Sequence, residues 1–183
     1  MRDRAERRIF SDLREGRREA YEAVIDAHYG SVYRFLLYLT GESSLAEDLT
    51  QEVFASAWAA IDRYQGRASI RTWLHRIAYN AHVDAHRRRG RREALAATVD
   101  RPSSEAVVDP VAQASVAEDI ASMRQALAEL DTDDRAVLVL HYVEGLSYRE
   151  MAQVLEQPTG TVKWLTSRAL RRLRSQMAGK EQL

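Results

Sequence analysis

Residues 146–177 read LSYREMAQVLEQPTGTVKWLTSRALRRLRSQM, and this stretch decides the fold. Ser147-Tyr148-Arg149-Glu150 has capping-box spacing, with a Ser at the cap and a Glu three residues later, so a helix opens here and runs to Leu155. Glu156-Gln157-Pro158 interrupts it, and a second helix follows from about Gly160 to Met177. With Val162, Thr166, Ala169 and Leu173 turned inward, Lys163, Trp164, Ser167, Arg168, Arg171 and Arg174 project outward. Residues 159–179 carry five basic side chains (Lys163, Arg168, Arg171, Arg172, Arg174) and no acid. Two helices on a tight turn, the second one basic, describe a helix-turn-helix whose second member enters the DNA major groove. An arginine there can fork onto a guanine edge, a serine can bond base or phosphate, and the later arginines suit phosphates. The plainer alternative is a solvated basic helix face.

Upstream of this motif the chain is also helical. Tyr21, Val24, Ile25, His28, Val32, Phe35, Leu36 and Leu39 recur at three- and four-residue steps until Gly41. Ser44-Leu45-Ala46-Glu47 repeats the capping-box spacing and predicts a helix to about Ile61, with Leu49, Val53, Ala57 and Ile61 inward. A loop over residues 64–69 precedes a third helix, from Ile70 to about Arg88, which buries Ile70, Leu74, Ile77, Ala78 and Ala81. Periodicity fades from Gly90 to Val116, where Pro102, Ser103, Ser104 and Pro110 interrupt a mildly acidic stretch. Ile120, Met123, Leu127 and Leu130, then Val137, Leu138 and Tyr142, mark two further helices before the motif. The reading is an all-α protein of two small helical domains, residues 1–92 and 118–183, joined by a flexible linker over residues 93–117.

The chain of 183 residues balances 27 Lys and Arg against 27 Asp and Glu, so total charge identifies no polyanionic partner, and only the local stripe does. No cysteine is present, which removes disulfides, thiolate metal sites and a cysteine nucleophile. The charged start MRDRAERRIFSDLREG is unlike a signal peptide, and no apolar run is long enough to span a bilayer, so we expect a cytoplasmic protein without membrane insertion.

The third helix and the loop before it mix rings with cations: Tyr64, Arg67, Arg71, Trp73, His75, Arg76, Tyr79, His82, His86 and the run Arg87-Arg88-Arg89. Rings stack on unpaired bases while cations hold the backbone, which is the chemistry of melted or single-stranded DNA. The helical wheel places Thr72, His75, Arg76, Tyr79, His82, Val83 and His86 on one outer face, with Tyr79 exposed and Trp73 toward the core. On the second helix Asp48, Gln51, Glu52, Ala55 and Ala59 lie away from the apolar stripe, flanked by Phe54 and Trp58, which describes either a protein-docking surface or a solvated helix face.

Two enzymatic readings are weaker. His82 and His86 have the spacing of a two-histidine zinc clasp, but no third ligand is identifiable, so no metal is assigned. Asp48 and Glu52 form an i, i+4 carboxylate pair, which on an exposed helix is ordinarily solvated charge. The chain reads as non-enzymatic and free of cofactors.

Taken together, Asp48-Leu49-Thr50-Gln51-Glu52-Val53-Phe54 with Trp58, and Arg71-Thr72-Trp73-Leu74-His75-Arg76-Ile77-Ala78-Tyr79-Asn80 with Asp84 and the Arg87–Arg89 run, resemble region 2 of extracytoplasmic-function sigma factors. Residues 138–152 and Gly160-Thr161-Val162-Lys163 resemble region 4 of the same family. The resemblance implies a sigma factor that binds core RNA polymerase and directs promoter-specific initiation. It implies that Asp48, Gln51, Glu52, Phe54 and Trp58 dock on polymerase. Tyr64, Arg67, Arg71, Arg76, Tyr79, Asn80, Asp84, Arg87 and Arg88 would recognise and open the minus-10 element. Arg149, Thr161, Lys163, Trp164, Ser167, Arg168, Arg171 and Arg172 would read the minus-35 element, and an anti-sigma protein would restrain the free factor. The linker, with Glu93, Asp100, Glu105 and Asp109, would thread a channel built for nucleic acid.

The chain departs from the family at two places. Glu156 and Gln157 stand where Gly and an aliphatic residue are usual, which predicts a different turn. Trp164-Leu165-Thr166 replaces the usual Ser-Arg-Leu, which predicts that Leu165 rotates inward for the missing core leucine and Trp164 faces DNA. A rival to the main reading follows from these departures: a sigma-like regulator that docks on polymerase with altered or lost minus-35 recognition.

Overall fold

The computed structural model describes residues 4–95, 123 and 125–180. Among these the chain is helical, with no strand. The N-terminal half contains α1 (Arg4–Arg14), α2 (Arg18–Thr40), α3 (Ser43–Ala59), a short 3₁₀ turn (Ile61–Arg63) and α4 (Ile70–Leu95). The C-terminal half contains a helical turn at 125–128, α5 (Thr132–Leu138), a π-helical turn (Val139–Val143), α6 (Tyr148–Leu155) and α7 (Thr159–Lys180). The expected linker lies outside the described residues from position 96 onward, and α4 runs past its predicted end near Arg88 to Leu95.

The apolar period of α2 is spent on the core: Val24, Val32, Phe35, Leu36 and Leu39 are buried. Side chains of this size contribute about 1.5–3 kcal/mol each when fully buried. Gly41 ends the helix at φ 70°, where its N–H reaches the Leu37 carbonyl at 2.9 Å. The next helix starts one residue before the predicted capping box, at Ser43, with Glu42 at the cap and no side-chain cap bond. α3 buries Ala46, Leu49, Val53, Phe54 and Ala57 between α2 and α4. Its one buried hydroxyl, Thr50, bonds the Ala46 carbonyl at 2.6 Å.

In the C-terminal half the Ser147 capping box forms as the spacing requires: Ser147 Oγ accepts from the Glu150 N–H at 3.3 Å, and Glu150 accepts from the Ser147 N–H at 2.8 Å. Val162, Thr166, Ala169 and Leu173 line the inner face of α7. Thr166 takes the leucine-like core position itself, with its hydroxyl bonded to the Val162 carbonyl at 2.8 Å, and Leu165 is only half-buried beside it. The expected inward rotation of Leu165 is therefore partial. At the bend, Glu156 adopts φ 53° and ψ 37°, the left-handed conformation a glycine would take. The turn is thus the ordinary one, held at a steric cost of about 1–2 kcal/mol for a residue with a Cβ.

The two halves pack on each other. α4 lies against α6, and α2 touches α5 and the π-helical turn. This contact positions everything that follows.

Candidate polymerase- and DNA-binding faces

On α3, Asp48, Gln51 and Glu52 are exposed, and Trp58 is exposed at one edge, its ring set edge-on against Tyr21 at 4.1 Å. Phe54 differs from its expected surface position: its ring is buried, near-parallel to Tyr29 at 6.1 Å, so it supports the face from beneath. The Tyr21 hydroxyl bonds the Phe54 carbonyl, which pins α2 to α3 under that surface.

Tyr64 is likewise buried. Phe10 stacks on it at 4.4 Å, Trp73 closes the other side at 4.5 Å, its hydroxyl bonds the Ala68 carbonyl, and Arg14 Nη2 donates to its own carbonyl at 2.6 Å. The ring that sequence reasoning offered to DNA instead shapes the 64–69 loop, while Arg67 is exposed on it. Ser69 then caps α4, accepting from the Thr72 N–H at 3.0 Å.

Along α4, Asn80, Asp84, Arg87 and Arg88 are exposed, with Arg88 3.7 Å from Glu52. Other members of the predicted outer face are covered. Thr72, His75 and His82 are buried, and Tyr79 is half-buried with its hydroxyl donating to Asp133 at 2.7 Å. Burial and that bond push the Tyr79 pKa up. Arg76 pairs with Glu156 across the same seam. A cavity of about 370 Å³ remains beside that pair, lined by Arg67, Thr72, Trp73 and Arg76 from one half and Gln153 and Glu156 from the other.

The centre of the seam is Glu144, which follows the π-helical turn and is 1% exposed. Arg34 Nε and Nη2 reach its two oxygens at 2.8 and 3.3 Å, Ser31 donates to it, and Arg71 Nη2 and His75 Nε2 lie 3.6 Å away. Burial alone would raise its pKa, but the hydrogen bonds from His75, Arg34 and Ser31 outweigh that and hold it at about 2. Nearby, Arg135 of α5 is half-buried and donates to four carbonyls, those of Leu127, Ala128 and Leu130 and, across the seam, Leu39. Burial pushes its pKa down. His82, also under α5, has an Nε2 with no hydrogen-bond partner, and burial chiefly, with His86 and Arg135 adding to it, pushes its pKa down to about 4.

On the C-terminal face expected to read DNA, Arg149, Thr161, Lys163, Trp164, Ser167 and Arg171 are exposed. Trp164, at 55% exposure, carries Arg168 over its ring at 4.8 Å. Arg168 and Arg172 are committed within their own half. Both bond the fully buried Asp134, Arg168 Nε at 3.1 Å and Arg172 Nη1 at 2.8 Å, and Arg172 also reaches Asp131 at 2.6 Å. Among the described residues no group of three or more His, Asp or Glu side chains could hold a metal ion, and no helix is long and apolar enough to cross a membrane.

Residues 24–92 match the Sigma-70 region 2 family, and residues 120–173 match Sigma-70 region 4. The ECF RNA polymerase sigma factor SigC of Mycobacterium tuberculosis is 39% identical over 155 residues, covering 85% of this chain and 82% of that protein. The chain belongs to the extracytoplasmic-function sigma factors of the sigma-70 family. SigW of Bacillus subtilis, another ECF sigma factor, is 30% identical over 173 residues, covering 90% of this chain and 92% of that one. Among solved structures, the sigma factor RpoE in complex with the anti-sigma factor NepR from Bartonella quintana aligns with a TM-score of 0.75 at 25% identity, over 86% of this chain and 96% of that chain. CnrH in complex with the cytosolic domain of CnrY shares the fold, with a TM-score of 0.73 at 23% identity over 96% and 98% of the two chains.

In this ECF sigma factor the residues that sequence reasoning missed are Asp134, which braces the last helix within the C-terminal half, and those of the seam, Ser31, Arg34, Asp133, Arg135 and Glu144. Ser31 and Arg34 lie one turn apart on α2, off its apolar stripe, and such a pair has no signature on a helical wheel. The run Asp131-Thr132-Asp133-Asp134 was a usable signal, since an acidic first turn favours nearby arginines, but it does not say which ones.

Proposed function

We propose that this sigma factor binds core RNA polymerase through the exposed face of α3, directs promoter-specific transcription initiation in the cytoplasm, and carries no catalytic activity of its own. Asp48, Gln51, Glu52 and Trp58 form the docking surface, with Phe54 supporting it from below. Arg67, Arg71, Arg76, Tyr79, Asn80, Asp84, Arg87 and Arg88 engage the minus-10 element, and Tyr64 holds the loop that presents Arg67. Arg149, Thr161, Lys163, Trp164, Ser167 and Arg171 read the minus-35 element, while Arg168 and Arg172 brace the recognition helix on Asp134 and reach phosphates from its margin. The units over residues 1–92 and 118–183 do these tasks separately, and an anti-sigma protein holds the factor inactive.

The observation that carries this reading is the order of the matches: region 2 precedes region 4 in one chain, with the cation-and-ring helix in the first and the capped helix-turn-helix in the second. Purified core polymerase, this chain and a genomic DNA library test it, with transcripts sequenced from their 5′ ends. Start sites sharing two upstream elements are expected. Random starts, or none despite a bound chain, defeat it.

A further inference from the structure

The leading end of α7 offers no free guanidinium. In a docked helix-turn-helix the first turns of the second helix reach base edges. Over residues 159–168 the only arginine is Arg168, which is half-buried, and its Nε is held at 3.1 Å by the fully buried Asp134. Lys163 is a point charge without a fork, and it sits over the Tyr148 ring at 5.8 Å. The exposed Arg171 stands two turns beyond Trp164, further from that end. What the leading turns do present is a ring. At about 3.6 residues per turn, Trp164 falls directly opposite the buried stripe of Val162, Thr166, Ala169 and Leu173, and more than half of it is exposed. Arg168, one turn on, lies over one face of the indole at 4.8 Å. Asp134, Arg168 and Trp164 therefore form a chain from core to surface that fixes the ring before anything binds, and a side chain ordered in advance loses little freedom on contact. The surroundings of the ring select a polyanion, since residues 159–179 carry five basic side chains and no acid.

We propose that Trp164 is a methyl reader: its braced indole packs on the C5-methyl group of a pyrimidine in the major groove, carried by thymine or by 5-methylcytosine. The inference rests on the sigma-factor reading above and names the chemistry that one position of the upstream element presents. An indole has a single donor, Nε1–H, and no acceptor, so it cannot make the paired bonds that identify guanine or adenine. Its large apolar face suits the one apolar group that base edges show in the major groove, the pyrimidine methyl. Unmodified cytosine lacks that methyl. Methylation at C5 adds it without altering base pairing, so it converts an unread base into a read one. Arg168 acts here as a positioning residue: it touches the ring, and Asp134 holds it there.

The test uses holoenzyme assembled from the full-length chain and purified core polymerase, on a promoter recovered from its own initiation. Each thymine of the upstream element is replaced singly by deoxyuridine, which removes the methyl and nothing else, and each cytosine by 5-methylcytosine, which adds it. Competition binding reads the affinity, and these base analogues probe the contact without altering the protein. At one thymine, deoxyuridine is expected to weaken binding by about fourfold, the worth of one buried methyl, or at one cytosine 5-methylcytosine is expected to tighten it by as much. The first result names thymine as the source of the methyl, and the second names methylated cytosine. In Trp164→Ala the same replacement should change affinity by less than about 1.5-fold, since the contact it probes is gone. Arg168→Met keeps the stem and removes the cation, and should bring the ratio of affinities with and without the methyl toward one. A lost phosphate contact lowers both affinities and leaves that ratio alone. No effect of either analogue at any position, or an equal effect in the unaltered chain and in Trp164→Ala, overturns the proposal; an unchanged ratio in Arg168→Met overturns the bracing. Holoenzyme that fails to initiate removes the sigma function itself, whereas normal initiation from promoters indifferent to these bases removes only the methyl reader.

Discussion

Acidification should loosen this protein in two steps, and the first belongs to His82. Its ring is 7% exposed, its Nε2 has no hydrogen-bond partner, and Arg135 of α5 and His86 one turn on both disfavour its charged form. Its pKa is held at about 4 against an ordinary 6.5. The unfolded chain therefore binds the proton first. Stability attributable to the neutral ring is whole above pH 6.5, falls as pH drops toward 4, and levels off below. At about 1.4 kcal/mol per pH unit the interval is worth about 3 kcal/mol. Glu144 acts in the opposite sense and a lower window. Its pKa is depressed from 4.5 to about 2, so its contribution is whole above 4.5 and is lost only as pH falls through 2.

The perturbation that isolates the first step is His82→Leu, which removes the titrating group and its unmet hydrogen bond together. Urea unfolding of both proteins at pH values from 7.5 to about 4 gives a difference curve that cancels Glu144 and every other shared group. That curve should be level above pH 6.5 and then move by up to about 3 kcal/mol in favour of the leucine variant. His86→Gln should narrow the fall only slightly, because His86 adds to a lowering of the His82 pKa that burial dominates. If the seam opens before the helices unfold, the loss stops at the free energy of opening, and dyes on α4 and α6 will separate at the same pH. A level difference curve across the whole range refutes the assignment of His82 as a buried, uncharged ring.

Three further outcomes follow from the same geometry. Glu156→Gly should raise stability by about 1 kcal/mol, because relief of the left-handed strain exceeds an Arg76 ion pair whose partners are both about half-exposed; Glu156→Gln should not, and thermal melts separate them by about 2–4 °C. Asp134→Ala removes the buried acceptor of Arg168 and Arg172 and should cost about 2–3 kcal/mol in urea unfolding, while steepening the salt dependence of duplex binding as both arginines are released. Trp164→Ala should change stability by less than about 0.5 kcal/mol, yet weaken binding to the minus-35 DNA recovered from the transcription assay by about fivefold or more, with little effect on unrelated duplex.

The helices were legible because each half buries its own apolar stripe, and period alone finds such stripes: Val24 to Leu39 on α2, Leu49 to Ala57 on α3, Val162 to Leu173 on α7. Local chemistry was legible where it closes within four residues, as at Ser147 and Glu150. It misled by two residues at Ser44, because Glu42 rather than Ser44 occupies the cap. Wheels could not place Thr72, His75 and His82, which lie off the apolar stripe of α4 and are nevertheless buried, His75 against Phe35 of α2 and beside Glu144 of the other half. Arg168 and Arg172 looked available for phosphates for the same reason: their acid, Asp134, is more than thirty positions away. The exposed face of α3 expected to dock was the more readable surface, since its exposure depends on one helix and its neighbours, though Phe54 proved to lie beneath it.

The polar pairs of the seam explain why it escaped the wheel. A permanent contact between domains is rich in apolar side chains, whereas one that forms and breaks must present groups that water can solvate. Here the contact is made by Ser31, Arg34, Arg71, His75, Arg76 and Tyr79 on one side and Asp133, Glu144 and Glu156 on the other. Each is soluble when uncovered, and each is paired when covered. Removing one partner of such a set is costly while the other stays buried. The wheel marked His75, Arg76 and Tyr79 as an outer face but could not say that Glu144, Glu156 and Asp133 of the other half would meet them, because those partners are more than fifty positions away in the chain.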